Sequence, residues 1–209
     1  MNIAILGKRQ ENQDINNIAI LLGKELSMPD TEGTHARPAR IPGNKILVTG
    51  AGSGTSEAVR KGAFESSLRH VTTHYIHDIH TSVLSRWTEN DGYYTKRHGT
   101  SLERSQFVSS ASTVICLDIN RGNIGTILCL LNEQRSDATL TLTRQPLPRL
   151  LLLWNGCFGA INTRPSLPKM QAVLGPMVDE IDAQAFVSFQ AAADALEHIK
   201  TFAKTSNGY

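Results

Sequence analysis

Two short glycine-bearing turns hold the residues best placed to do chemistry in this chain. The first runs from Gly50 through Gly52 and Gly54 to Thr55, between the apolar stretch Ile46 to Thr49 and a helix-like segment opening at Thr55. The second, Gly122-Asn123-Ile124-Gly125-Thr126, follows the apolar run Thr113 to Leu117 and opens the apolar segment Ile127 to Glu133. Strand, glycine turn and helix together make an anion cradle in α/β proteins. The first N–H groups of a helix have no intrahelical partner, and the helix dipole favours negative charge beside them. Gly50, Gly52 and Gly54 would let backbone approach a sugar or phosphate. Gly122, Asn123, Gly125 and Thr126 would meet a phosphate through their N–H groups and the Thr126 hydroxyl, since Asn tolerates left-handed geometry. Arg104 offers a planar, bidentate cation. Either turn alone could be punctuation between a strand and a helix. Two in one small chain predict a nucleotide held from both sides.

The elements that must carry these turns alternate along the chain. Asn2 to Leu6 is a buried-strand pattern broken by Gly7. A helix capped by Asp14 follows, with Ile15, Ile18, Ala19, Leu22 and Leu26 at helical spacing, and Pro29 stops it. The stretch 29–44 is longer than the usual helix-to-strand connection, so it is expected to cover a site or an edge. Then come a strand at Ile46 to Thr49, a helix from Thr55 to about Ser67, and a strand at Val71 to Ile76. The polar and aromatic stretch from His77 to Thr100 shows no clear period. A helix at Ser101 to Ser110, strands at Thr113 to Leu117, Leu150 to Trp154 and Phe186 to Phe189, and a helix from Ala191 to about Ala203 complete the pattern. Near-continuously apolar strands alternating with helices predict one α/β domain over 1–209, Rossmann-like and doubly wound, with a mostly parallel sheet. The ligand should sit outside the carboxyl ends of the strands that lead into the two turns.

Composition removes several classes of partner. A length of 209 residues is enough to bury a full core, and 40% hydrophobic against 19% charged residues describes an ordinary globular protein. A net charge of +2, with Arg135, Arg144 and Arg149 scattered, gives no nucleic-acid surface. Leu150 to Trp154, the longest greasy stretch, is far too short to span a bilayer, so no membrane is expected. The N-terminus lacks a basic region followed by an apolar one, which sets the expectation of a cytoplasmic protein. Cys116, Cys129 and Cys157 are an odd count without close spacing; the two in apolar runs, Cys116 and Cys129, read as reduced core residues. His70, His74, His77 and His80, with Asp78, sit in a β-like run where spacings of three and four do not converge. They are expected to face solvent at a strand end, with no metal and no cofactor. Trp87, Tyr93 and Tyr94 are expected to pack, or else to stack on a base.

The order of these elements resembles the LOG family (lysine-decarboxylase-like, typified by cytokinin riboside 5′-monophosphate phosphoribohydrolases) and the wider SLOG group of Rossmann-like nucleotide-binding proteins. That family's phrase V-T-G-G-G-P-G-x-M-E-A-x-x-x-G-A stands here as V-T-G-A-G-S-G-T-S-E-A-V-R-K-G-A from Val48 to Ala63. Its R-K-x-x-M, S-D-A and P-G-G-x-G-T-x-x-E are matched by Glu103 to Phe107, Ser110 to Ser112, and Arg121 to Cys129. The resemblance implies a homodimer that binds a nucleotide or other phosphate-bearing small molecule. It also locates the departures: Glu103 stands at the catalytic Arg position, with Arg104 beside it, and Cys129 stands at the catalytic Glu position. A neutral thiol in an apolar helix makes a poor general base. The expected function is therefore a sensor, carrier or accessory that binds its nucleotide with a degenerate catalytic site. An active phosphoribohydrolase is the alternative, its chemistry rebuilt on Arg104, Glu57 or Glu133.

Thr49 to Ser56 also looks like the T-G-x-x-x-G-x-G turn of short-chain dehydrogenases, which would imply an NAD(P) oxidoreductase. Ser56 replaces the third glycine, however, and the Y-x-x-x-K pair is missing: Tyr93 and Lys96 are three apart, and His98 follows Tyr94 by four.

Overall fold

Residue parity along the strands sets the two faces of the sheet. In β1 (Asn2–Leu6), Ile3 and Ile5 point to one side and Ala4 and Leu6 to the other, and all four are buried. The structure is a computed structural model that describes residues 1–8, 12–28, 45–49, 54–66, 70–76, 89–119, 121–139, 149–157 and 187–206; at 91, 121, 122, 133–139 and 206 it describes the backbone alone. Within these residues the chain folds as β1, α1 (Gln13–Ser27), β2 (Lys45–Thr49), α2 (Thr55–Phe64), β3 (Val71–Tyr75), β4 (Tyr93–Arg97), α3 (Ser101–Ser109), β5 (Thr113–Cys116), α4 (Arg121–Thr139), β6 (Leu150–Trp154), β7 (Val187–Phe189) and α5 (Ala192–Ser206).

All seven strands form one parallel sheet in the order β4-β3-β2-β1-β5-β6-β7. On one face Ile3, Ile5, Ile46, Val48, Ile115 and Leu152 pack against Ile15, Leu22, Val59 and Ile199 of α1, α2 and α5. On the other, Ala4, Leu6, Leu47, Val114, Leu151 and Leu153 pack against Val108, Ile127, Leu130 and Leu131 of α3 and α4. The fold is thus the expected Rossmann-like, doubly wound α/β sheet, covered on both sides. The strand order grows outward from β1 in two directions, so the crevice between the carboxyl ends of β1 and β5 is the topological switch point.

Helix α1 and helix α2 lie backbone to backbone. A Cβ at Gly23 would strike the Val59 carbonyl, and one at Gly62 would strike the Ile20 carbonyl. Ser66 Oγ donates to Ser27 O at the end of this contact.

Several local expectations need correction. Asn12, rather than Asp14, caps α1: its side chain accepts from Ile15 N–H, while Asp14 lies in the first turn beside the positive end of the dipole. Met28, held extended before Pro29, ends that helix as foreseen. The region without clear period contains a short 3₁₀ turn (Glu89–Asp91) and then β4, an edge strand with Thr95, Lys96 and Arg97 exposed. A solvated edge strand carries charge on its open side and so lacks the apolar run that marks the interior strands. Helix α4 begins at Arg121, so the second glycine turn is the first turns of the helix itself, and Asn123 is helical rather than left-handed. The stretch 29–44, with its expected covering role, lies outside the described residues.

Candidate functional site

The end of β1 is the point to which both helix starts are tied. Lys8 N–H donates to Thr55 Oγ1 at 2.9 Å, and Thr55 N–H donates to Lys8 O at 3.0 Å. Asn123 Nδ2 donates to Gly7 O and to Asp118 O, both at 2.8 Å, joining the loops that leave β1 and β5. Gly7 must be glycine because a Cβ there would collide with the Thr55 side chain. Gly54, with φ 91° and ψ −142°, occupies a region open only to glycine and turns the chain into α2. The hydrogen-bonding side chains of Thr55 and Asn123 thus hold the crevice in shape, which frames the backbone around it.

On the α3/α4 face, α3 presents Arg104 and Ser105. Arg104 is buried to 9% exposure, and this desolvation pulls its guanidinium pKa below the usual arginine value. Ser105 sits over the second turn: a Cβ on Gly125 would come within 3.1 Å of its Oγ, and the fully buried Thr126 Oγ1 donates to it at 3.5 Å. Glu103, at the position where the resemblance calls for arginine, closes a capping box. Its Oε2 accepts from Gly99 N–H (2.8 Å) and Thr100 N–H (3.2 Å), while Thr100 Oγ1 accepts from Glu103 N–H. The signal T-S-L-E was legible in the sequence as a helix start.

Glu57 belongs to a different arrangement. Its Oε2 accepts from Arg60 Nη2 at 3.1 Å, Arg60 Nη1 donates to Thr73 Oγ1 at 2.7 Å, and Tyr93 Oη donates to Arg60 O at 3.1 Å. Arg60 is 1% exposed; burial lowers its pKa, while Glu57 acts in the other direction and holds the proton. Because neighbouring residues of a strand face opposite ways, Thr73 meets this pair and His74 faces α3.

His74 overturns the expectation of solvent-facing histidines. It is 1% exposed, and its Nδ1 lies 2.9 Å from Nε2 of His98, just past β4. Phe107 stacks on His74 at 4.9 Å and tilts against His98 at 5.6 Å. Burial, then His98, Lys96 and Arg104, push the His74 pKa down from 6.5 to about 4. His98 is also lowered, chiefly by burial and Lys96, with Glu103 opposing. The alternation Lys96, His98 along an edge strand was the available sequence signal, hidden because β4 itself was not recognised. His70 stacks on Tyr94 at 4.5 Å, and Tyr93 is a core residue, in line with packing. Trp87, His77 and His80 lie outside the described residues.

Thr55 and Asn123 are thus tied to the end of β1, Gly125 and Thr126 meet Ser105 of α3, and Arg104 lies near His74 and His98, whereas Gly50 and Gly52 and the side chain of Glu133 lie outside the described residues. Cys116 and Cys157 are buried, and burial raises the first well above an ordinary thiol and the second to about 12; Cys129 is half-buried, so the core pair is Cys116 and Cys157 instead of Cys116 and Cys129. A cavity of about 390 Å³ opens elsewhere, at the ends of β6 and β7. Asp194, Glu197 and His198 are among the residues that line it, and Asp194 accepts from the Gln190 and Ala191 N–H groups. Among the described residues no three His, Cys, Asp or Glu side chains are grouped to hold a metal ion, and no helix is long and apolar enough to cross a membrane.

Comparison with known proteins gives a likeness of fold. No protein-family model matches the chain, and no curated protein matches it in sequence. The fold is similar to the solved structure of the molybdenum cofactor binding protein from the phototrophic bacterium Rippkaea orientalis. The two superpose with a TM-score of 0.61 at 14% identity, over 96% of each chain. At that identity the likeness establishes the shared fold alone.

Proposed function

We propose that this protein binds a nucleotide, or a nucleotide-like cofactor bearing a phosphate, in the crevice between β1 and β5, and serves as a sensor, carrier or accessory of the LOG/SLOG type. The observation that carries this reading is the joint anchoring of both helix starts on Gly7 and Lys8 at the switch point. That anchoring aims the N-terminal end of α4 at the crevice, where helix dipoles favour an anion. Arg104 adds a cation beside it. The likeness to a protein named for binding the molybdenum cofactor supports an organic cofactor as the kind of ligand involved.

Binding without turnover is favoured by what the two carboxylates with described side chains near these elements already do. Glu57 neutralises a buried arginine, and Glu103 caps a helix. In this reading the protein is a cytoplasmic homodimer whose ligand is transferred or sensed rather than cleaved.

Native mass spectrometry of the protein as purified, followed by a thermal-shift panel of nucleoside phosphates, inorganic phosphate, NADPH and molybdenum cofactor, tests the reading. A retained or stabilising phosphate-bearing compound with no base release from AMP supports it. Brisk base release would establish the hydrolase instead, NADPH alone the oxidoreductase, and no stabilisation by any of them would refute the binding site.

A further inference from the structure

The His74–His98 pair has a protonation behaviour that neither ring has alone. With 2.9 Å between His74 Nδ1 and His98 Nε2, one ring donates and the other accepts. The pair can take up one further proton and keep that bond; a second would set two N–H groups against each other. The singly charged pair must carry N–H on both outer nitrogens, His98 Nδ1 and His74 Nε2. Yet His74 Nε2 is buried and has no hydrogen-bond partner among the described residues, so that proton is unsatisfied there until an acceptor arrives.

The surroundings select the acceptor. The charged groups acting on His74 are His98, Lys96 of β4 and Arg104 of α3, and each disfavours a further positive charge. Lys96 and Arg104 act on His98 in the same sense, and the carboxylate that opposes them, Glu103, already accepts from Gly99 and Thr100 N–H. A metal cation would be repelled by Lys96 and Arg104. An oxyanion would be attracted by both and would reverse the penalty on the imidazolium. Helix α3 carries both contacts: Arg104 acts on the histidine pair, and the next residue, Ser105, meets Thr126 and faces Gly125 of α4.

We propose that His74, His98, Arg104 and Lys96 form an oxyanion subsite in which the imidazole pair takes up one solvent proton as a doubly charged oxyanion binds. No covalent bond forms or breaks; the proton adds to the one ring nitrogen left bare in the neutral pair. This subsite rests on the proposed phosphate-binding crevice and gives that ligand a second anionic contact, one that tightens as pH falls.

Sulfate is the probe, because it stays a dianion across the range and contributes no titration of its own. Calorimetry on the full chain at constant ionic strength, from about pH 7.5 down to about pH 5.5, should show affinity rising toward about tenfold per pH unit, the limit for uptake of one proton. In the same samples, nitrogen NMR of the histidine rings should show sulfate converting the pair to its charged form. In His98→Gln, which removes half of the pair, sulfate should bind more weakly at about pH 5.5 and its affinity should rise less as pH falls. Affinity independent of pH, with ring signals unmoved by sulfate, overturns the subsite while leaving intact a crevice whose nucleotide binding still depends on Gly125. Failure of sulfate and of every nucleotide to bind at any pH overturns both.

Discussion

Two buried clusters of basic side chains lie on opposite faces of β3, one meeting Thr73 and the other built on His74, and they are built to opposite ends. On the α2 face Arg60 is fully enclosed, but Glu57, Thr73 and the neighbouring Tyr93 answer its charge and backbone. On the α3 face His74, His98 and Arg104 lie together, and the groups acting on His74 are positive in sense. The Arg60 charge has its carboxylate inside the fold, whereas the His74 ring is held uncharged by burial and by neighbours that act as positive charges, and perturbed groups of that kind mark a candidate site. The difference teaches where to look for function in a sheet whose switch point alone would leave both faces open.

The largest effect should come from breaking the matched cluster. Glu57→Gln leaves Arg60 enclosed without its carboxylate and should cost about 3–5 kcal/mol in urea unfolding, whereas Glu57→Gln with Arg60→Met should recover most of that loss. Next, Gly54→Ala forces a side chain into a glycine-only backbone region and should cost about 1–3 kcal/mol, read the same way. Removing charge from the α3 cluster should act mainly on binding. Arg104→Gln should weaken nucleotide or sulfate binding by about tenfold or more, about 1.4 kcal/mol, with a smaller loss of stability than Glu57→Gln. Equal loss of stability in Glu57→Gln and Arg104→Gln would erase the contrast.

The smallest effect is in pH dependence. Burial lowers the His74 pKa to about 4 in the folded chain, against about 6.5 when unfolded. The unfolded state then binds more protons between these values, so stability is full above about 6.5 and is lost as pH falls toward about 4. Thermal unfolding from about pH 7.5 to about pH 4.5 should show this fall, and saturating sulfate should blunt it. A midpoint that does not change with pH would contradict the buried neutral imidazole.

Most of the architecture was legible in the sequence because interior parallel strands are apolar on both faces. Ile46 to Val48 and Val114 to Cys116 needed no partner to be recognised. The β4 edge strand was not legible, since Lys96 and Arg97 serve its open side, and with it went the placement of His98. His74 looked like one of four scattered histidines because its partner lies twenty-four residues away and meets it only across the sheet edge. The Thr100 to Glu103 capping box was visible in sequence, and it accounts for a carboxylate at a position that otherwise reads as a lost arginine. Asn12 displaced Asp14 as the cap because two residues two positions apart could each play that part, and Asn12 is the one whose backbone is extended and whose side chain reaches Ile15 N–H.

The central claim, that a phosphate-bearing ligand lies at the α4 turn beside β1, meets its most direct test at Gly125. A side chain there would press on Ser105 of α3. Calorimetry with the tightest-binding compound of the panel, on the natural protein and on Gly125→Leu, should show affinity reduced by at least about tenfold with cooperative unfolding retained. Undiminished affinity in a folded Gly125→Leu protein would place the ligand elsewhere and contradict the account.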